Sequence, residues 1–341
     1  MKNPKKWVMI TLKDISDSCG VGISTISRVL SGDRTRKIRK ETEQLVIKTA
    51  SDLGYFREKK LKIHAREKEV KIAGLFLSDH ESILTPFFSE VFVGIKDQIN
   101  VISEYMNINY RVLSLYDTNF EKELAEFSPD IAIILGRVKK PVLSFVQKHV
   151  PNLVYAGLNP IGSMDEVICE AKEGIADAVK YLAGKGYERI GYIGPLNDSE
   201  IQNEHRFAGY LAGLGEAMKS YDETLVMNSY LDASNGYAAA RALFDHARPD
   251  AVVCANDSVA IGVLKFIGQE NISVAVTGFD NVELSSFTSP SLTTFDVPKR
   301  DLGRLAVICA LDRMKTPRSI NVRIELPYKM IIRDSTERRD D

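Results

Sequence analysis

The sequence predicts a chain of two fold classes: a small all-α helix-turn-helix head, then an α/β body of two lobes, each built on a doubly wound parallel sheet. Three observations carry this. The first thirty residues hold short helical patterns punctuated by glycine, with no strand between them. From Lys71 onward, apolar runs of strand length alternate with amphipathic stretches of helical length, in two successive series. Charge is also divided: residues 1–70 carry 17 Lys/Arg against 9 Asp/Glu, a net of +8, while the rest carry 28 against 37, a net of −9. At 341 residues the chain exceeds what one core usually organises, so two or three domains are expected.

In the head, Thr11 and Asp14 have the spacing of a capping box, which predicts a helix over Leu12–Cys19 stopped by Gly20 in a left-handed conformation. Leu12 and Ile15 form its apolar side. A second helix is predicted over Ile23–Leu30, with Ile26, Val29 and Leu30 inward and Gly32 ending it. A third follows in "KETEQLVIKTASDLG", ended by Gly54. Two short helices joined by a tight turn, plus a third, make a helix-turn-helix unit. If Ile26 faces the core, then Ile23, Ser24, Thr25, Ser27 and Arg28 project the other way. Small polar residues let such a helix approach a major groove closely, and an arginine reaches a guanine edge or a phosphate. A basic head on an acidic body is the footprint of a polyanion-binding module joined to something else.

The body begins with "KIAGLFL", "RVLSLY", "DIAIILG" and "NLVYAGL" as strands, separated by stretches such as "FFSEVFVGIKDQI" and "PVLSFVQKHV". A second series runs "RIGYIGPL", "TLVMNSYL", "DAVVCAND" and "VAVTGFD". In open α/β sheets, ligands bind beyond the carboxyl ends of the strands. Polar residues stand there: Asn159 after "YAGL", Asn256 and Asp257 after "AVVCA", and Asp280 and Asn281 after "VTGF". Each alone reads as readily as a helix cap or turn residue. Converging on one cleft, they offer the paired donors and acceptors that sugar hydroxyls need.

Other classes are disfavoured. No apolar run reaches the roughly 18 residues of a membrane span, and "MKNPKKWVMITLKDI" lacks the apolar core of a signal peptide. Cys19, Cys169, Cys254 and Cys309 are isolated, as expected of buried thiols in a reducing compartment, so a cytoplasmic location is expected. No GxGxxG follows a strand, no phosphate-binding GxxxxGK[ST] occurs and no Ser/His/acid set has a motif context. His205 beside Arg206 is an isolated histidine. The expectation is a protein that is not an enzyme and has no cofactor or metal.

The stretch "TLKDI…GVGISTISRVLSG" closely resembles the DNA-binding head of the lactose/galactose-repressor (LacI/GalR) family. By that resemblance Ile23 and Ser24 stand at the main base-reading pair, while Thr11, Thr25, Ser27 and Arg28 match neighbouring DNA contacts. Met9 falls where family members usually begin, making residues 1–8 an upstream extension. The departures are specific. Arg39 stands where the family often has a serine cap before the third helix. Beyond Tyr55 the chain reads "YFREKKLKIHAREKEVKIAGL", without the Pro-Asn and Ala/Leu hinge helix whose leucine wedges into the minor groove. His64 or a neighbour falls at the wedge position, with Leu61 or Ile63 as substitutes, and Lys59 is expected to contact phosphate.

Residues 71–335 look like the family's effector core, itself similar to periplasmic sugar-binding proteins. "YLAGKGYERIGYIGP" followed by "RFAGYLAGL" is similar to the core motif, so Arg206 matches the arginine that holds effector hydroxyls. Asn256 in "AND" and Asp280 in "GFD" match two more effector positions. "TPFF" resembles an Asn-Pro-Phe-type loop that brings Phe87 or Phe88 to the pocket, helix core being the alternative. Gly157 stands where many relatives carry Asp, so one polar contact is expected to be missing.

The resemblance implies a repressor of sugar-utilisation genes that binds a palindromic double-stranded operator as a homodimer and is released by a small sugar effector. The hinge, "TPFF" and "GLNP" look most like a subgroup regulating galactose or β-galactoside use. The alternatives are a purine or nucleoside effector, or control by a phosphocarrier protein partner. The expected domains are 1–57, the head; 58–70, the hinge; 71–169 with 296–322, the first lobe; and 170–295 with 323–335, the second. Dimer contacts are expected on the apolar helices around Val91–Ile102 and Leu302–Leu311. The charged end "IIRDSTERRDD" offers no coiled-coil seam for a tetramer.

Overall fold

The computed structural model describes residues 10–31, 38–53, 55, 69–76, 85–114, 118–137, 139–196 and 204–337. Residues 1–9, the expected helix stops Gly32 and Gly54, and the hinge up to residue 68, with Lys59, Leu61, Ile63 and His64, lie outside the described residues.

The head consists of α1 (Leu12–Cys19), α2 (Ile23–Ser31) and α3 (Lys40–Asp52). At the start of α1 the Thr11 hydroxyl accepts from the Asp14 amide at 3.3 Å, and the Thr11 amide donates to Asp14 Oδ2 at 2.6 Å. This is the expected reciprocal cap. Gly20 closes the helix at φ 69°, a conformation that costs a side-chain-bearing residue free energy. Arg39 precedes α3 without making a side-chain cap hydrogen bond, as its replacement of serine implied. Ile15, Ile26, Val46 and Ala50 are fully buried and form the core that joins the three helices. Leu12 is only half-buried at its edge.

The body has two lobes. The first is a six-stranded sheet of order β11-β5-β4-β3-β1-β2, with β1 (Val70–Phe76), β2 (Ile108–Ser114), β3 (Ile131–Leu135), β4 (Asn152–Gly157), β5 (Asp165–Ile168) and β11 (Arg323–Glu325). The pairs β1–β3, β3–β4, β4–β5 and β5–β11 are parallel. Every residue of β3, "IAIIL", is buried, the pattern of a central strand covered on both faces. Helices α4 (Pro86–Ile102), α5 (Phe120–Phe127) and α6 (Lys140–His149) alternate with these strands. The second lobe is a four-stranded parallel sheet, β7-β6-β8-β9, made of β6 (Ile190–Gly194), β7 (Val226–Asn228), β8 (Ala251–Cys254) and β9 (Ala275–Thr277). Its helices are α7 (Ala171–Gly184), α8 (Arg206–Glu216), α9 (Ala233–His246) and α10 (Asp257–Gln269).

The chain passes between lobes three times. It crosses after β5, again through β10 (Thr294–Asp296) into α11 (Lys299–Lys315), and finally from β11 into β12 (Lys329–Ile331). β10 and β12 pair antiparallel, so two of the crossings are hydrogen-bonded to each other. α11 packs across β3, β4 and β5.

One lobe boundary differs from the expectation. Residues 323–325 were expected in the second lobe, but β11 pairs with β5 and forms the edge of the first sheet; a three-residue strand on an edge leaves no periodicity to read. On the two helices expected to carry dimer contacts, Val91, Ile95, Ile99, Leu302, Ala306, Val307 and Ala310 are buried, Phe92, Val93 and Leu305 are half-buried, and Val101 and Ile308 are exposed.

Candidate functional site

The head presents α2. Ile26 turns into the core, and helical geometry then places Ile23, Ser24 and Ser27 in solvent, with Ile23 at 47% exposure. Thr25 and Arg28 are half-buried on the flanks of the same face. An isoleucine this exposed at the first position of a helix makes no contribution to the head's own core, but it can contact a thymine methyl in a major groove. Thr11, expected among the DNA contacts, spends its hydroxyl in the α1 cap.

The body's cleft lies at the carboxyl ends of strands from both lobes. It is lined by all six residues expected there, Phe87, Phe88, Asn159, Arg206, Asn256 and Asp280. Pro86 starts α4, so Phe87 and Phe88 occupy its first turn, with ring centroids 5.0 Å apart and planes at 88°. Both are buried. The helix-core and pocket-wall readings of this pair therefore hold together.

Asn256 likewise serves two purposes. Its Oδ1 accepts from the Val259 amide at 2.9 Å, capping α10, its Nδ2 donates to the Leu231 carbonyl at 3.3 Å, and the residue lines the cleft. Asn159 Oδ1 accepts from the His205 amide at 3.3 Å, tying the end of the first lobe to the start of α8. Asp280 sits at φ 112°, outside the usual range of a side-chain-bearing residue. Its amide donates to the Phe295 carbonyl at 3.0 Å, and its own carbonyl accepts from the buried Lys299 Nζ at 2.6 Å, so the backbone on both sides is held.

The neighbours Asp257 and Asn281 are structural. Asp257 is fully buried; it accepts from the Val282 amide at 2.8 Å and the Thr294 hydroxyl at 2.5 Å. Burial, followed by the Asp280 charge, pushes its carboxyl well above the usual carboxylate range. The Cys169 thiol is pushed up to about 12, again by burial first and Asp280 second, so it stays protonated and unreactive. Asn281 is occupied by Arg333 and Asp296.

The cleft also contains residues that the sequence pattern did not single out. Gly136, at φ 82°, turns the chain at the end of β3 and delivers Arg137 into the cleft. Arg137 follows a strand's carboxyl end, so the rule that found Asn159 applies to it equally. Tyr155 comes from within β4, where nothing in the sequence marks it. A Cβ at Gly157 would overlap the Tyr155 hydroxyl, which itself accepts from the Asn159 amide at 3.3 Å. The phenol therefore fills the space that a side chain at Gly157 would take. Glu204, whose side chain is 3% exposed, joins the arginines: Oε1 accepts from the Arg206 amide at 2.9 Å and Oε2 from Arg206 Nη1 at 2.8 Å, with Arg137 Nη1 3.9 Å away.

Among the described residues no cluster of His, Cys, Asp and Glu is arranged to hold a metal, and no helix is long and apolar enough to cross a membrane.

Comparison with known proteins fits both parts. Residues 11–58 match the family "Bacterial regulatory proteins, lacI family", and residues 179–336 match "Periplasmic binding protein-like domain". The chain is 27% identical to the HTH-type transcriptional repressor PurR of Vibrio atlanticus (strain LGP32), over 90% of this chain and 92% of that protein. It is 28% identical to the ribose operon repressor of Haemophilus influenzae (strain ATCC 51907 / DSM 11121 / KW20 / Rd), over 96% and 98%. Among solved structures, the transcriptional regulator CelR–cellobiose complex superposes with a TM-score of 0.69 at 23% identity, covering 96% of this chain and 99% of that one, a likeness of fold. The head is thus a lacI-family DNA-binding domain and the body a periplasmic-binding-protein-like domain, in a chain similar along nearly its whole length to DNA-binding repressors.

Proposed function

We propose that the chain is a repressor that holds a palindromic operator as a homodimer through α2 of each head, and that a small sugar bound in the interlobe cleft releases it. The observation that carries the effector reading is convergence. Asn159, Arg206, Asn256 and Asp280 come from four separate strand ends or helix starts and line one cleft, which the Phe87/Phe88 pair also lines. Hydroxyls on both faces of a ring are served by such a set, and an aromatic edge covers the apolar side. A ligand in this position changes DNA affinity only by the difference in its affinity for two arrangements of the lobes.

A relative named ribose operon repressor supports a sugar effector, with a purine or nucleoside as the alternative class. We favour the sugar class because the polar side chains of Asn159, Arg206, Asn256 and Asp280 line the cleft and can pair with ring hydroxyls. Galactose and β-galactosides are the first sugars to test, on the likeness carried by "TPFF" and "GLNP". A thermal-shift screen of common sugars, nucleobases and nucleosides decides the class. Stabilisation by a sugar, with release of operator DNA at the same concentration, is expected; stabilisation by a purine alone, or release only on adding a phosphocarrier protein, would replace the reading.

A further inference from the structure

We propose that Lys299 is a positioning residue for the effector: reaching out of the first lobe, it holds the strained backbone on which the second lobe presents Asp280. This rests on the interlobe cleft being the effector site. Asp280 and Asn281 are consecutive and both have positive φ, 112° and 49°. Asparagine visits the left-handed region readily, whereas φ 112° lies beyond it, so this turn persists only where its surroundings fix it. Chain crossings supply much of the fixing. Asn281 Nδ2 donates to Asp296 Oδ1 at 2.9 Å, its Oδ1 accepts from Arg333 Nη2 at 2.8 Å, and its amide donates to Thr294 Oγ1 at 3.2 Å. The next amide, of Val282, donates to the buried Asp257 at 2.8 Å. The carbonyls of the turn fall to Lys299.

Its Nζ donates to the Asp280 carbonyl at 2.6 Å, the Asn281 carbonyl at 3.3 Å and the Val297 carbonyl at 3.4 Å, so the hydrogens of the amine are matched by backbone acceptors. Glu90 stands 3.8 Å from Nζ and 3.7 Å from Arg300 Nε, beyond hydrogen-bonding distance of either. Lys299 is buried, and its polar end is spent on backbone. Yet it belongs to the opposite lobe. It opens α11, which packs across β3, β4 and β5. A Cβ at Gly94 would overlap the Arg300 carbonyl and one at Gly303 the Val91 carbonyl, so α4 and α11 meet backbone to backbone. The first turn of α4 carries Phe87 and Phe88. One side chain therefore ties the helix pair that brings these rings to the cleft to the turn that brings Asp280. Without its amine, two successive carbonyls lose their donor, the turn relaxes, and a ligand must pay to order Asp280 before using it.

The test uses the full chain as wild type, Lys299→Met, Asp280→Ala and the double variant. Hydrogen exchange read by mass spectrometry needs no ligand. In Lys299→Met the amides of residues 280–282 should exchange at least about tenfold faster than in wild type, while those of β8 keep their rates. Calorimetry with galactose, glucose and ribose then reads the effector side. Lys299→Met should lower the affinity of whichever sugar binds by about fivefold or more, the effect of leaving polar groups unmatched. In the Asp280→Ala background the same substitution should cost less than about twofold, because its effect passes through Asp280. A lysine that merely supported the fold would cost the same factor in both backgrounds. Equal factors, or unchanged exchange at 280–282, overturn the proposal. Where Asp280→Ala binds no sugar measurably, exchange and the affinity of Lys299→Met must both change, and either one unchanged overturns it. No sugar binding by wild type overturns the sugar reading instead, and exchange alone then decides whether Lys299 holds the turn. Should Lys299→Met not fold, Lys299→Gln, which keeps two hydrogens, takes its place; exchange at 280–282 no faster than wild type in that variant refutes the proposal equally.

Discussion

Arg206 is expected to hold the cleft together as well as contact its ligand, and the two effects can be separated. Replacing it with Met keeps most of the volume but strands Glu204, a carboxylate only 3% exposed whose short side-chain partner is Arg206 Nη1 at 2.8 Å. Removing one member of a buried ion pair costs about 3–5 kcal/mol, because the remaining charge is uncompensated. Arg137 at 3.9 Å and the retained Arg206 amide offset part of this, which puts the expectation at the lower end, about 3 kcal/mol. For a body of this size that lowers the melting temperature by roughly 6–12 °C. Adding Glu204→Gln removes the stranded charge, and the double variant should return to within about 1 kcal/mol of wild type, since neutral replacement of a buried pair is often tolerated. Effector-induced release should be absent from both. Urea unfolding followed by far-UV circular dichroism gives the stabilities, and operator titration with and without sugar gives the response. Arg206→Met unfolding within 1 kcal/mol of wild type would refute the reasoning, as would a double variant no more stable than the single.

Further expectations follow from other parts of the molecule. Arg28→Ala should weaken operator binding by about 1–3 kcal/mol and leave random DNA nearly unaffected, checked by fluorescence anisotropy on both duplexes; an unchanged ratio removes Arg28 from base reading. Ile26→Ala, at a fully buried site in a small core, should destabilise the head by about 2–5 kcal/mol and abolish operator binding while calorimetric sugar binding by the body persists. Asp257 gives a pH signature. Its folded pKa is raised, so the folded state keeps a proton that the unfolded chain gives up near the ordinary pKa of about 3.9. Stability should therefore fall as pH rises from there to the raised value, and Asp257→Asn should flatten that slope in denaturation measured across pH. Light scattering at micromolar concentration should give the mass of two chains; a mass of four chains or of one would contradict the homodimer reading.

What the sequence made legible was local or positional. The Thr11–Asp14 cap and the Gly20 stop need only neighbours a few residues apart, and both stand as expected. Asn159, Asn256 and Asp280 were found because strand ends converge whatever the details of packing. Glu204 escaped because its meaning lies in Arg137, which reaches it only after both lobes have formed. Tyr155 escaped because a strand pattern says which face a residue takes, not that its hydroxyl will occupy the space above Gly157. β11 escaped because "RIE" on a sheet edge has too few residues to show a period.

The borrowing of α11 and β11 from the end of the chain has a consequence for biosynthesis. The second lobe's sheet and four α-helices lie contiguously between residues 171 and 277, so all of them are made early, and only the turn Asp334–Thr336 that packs on β9 comes later. The first lobe is made earlier but lacks the helix that covers β3, β4 and β5 and the strand that closes its edge. Translating residues 169–298 takes roughly 6–26 s at ordinary rates, and throughout that interval the central strand Ile131–Leu135 has one face uncovered. Nascent chains arrested before Lys299 should therefore be cleaved by protease within the first lobe and protected in the second, and chains arrested well beyond Glu325 should be protected in both.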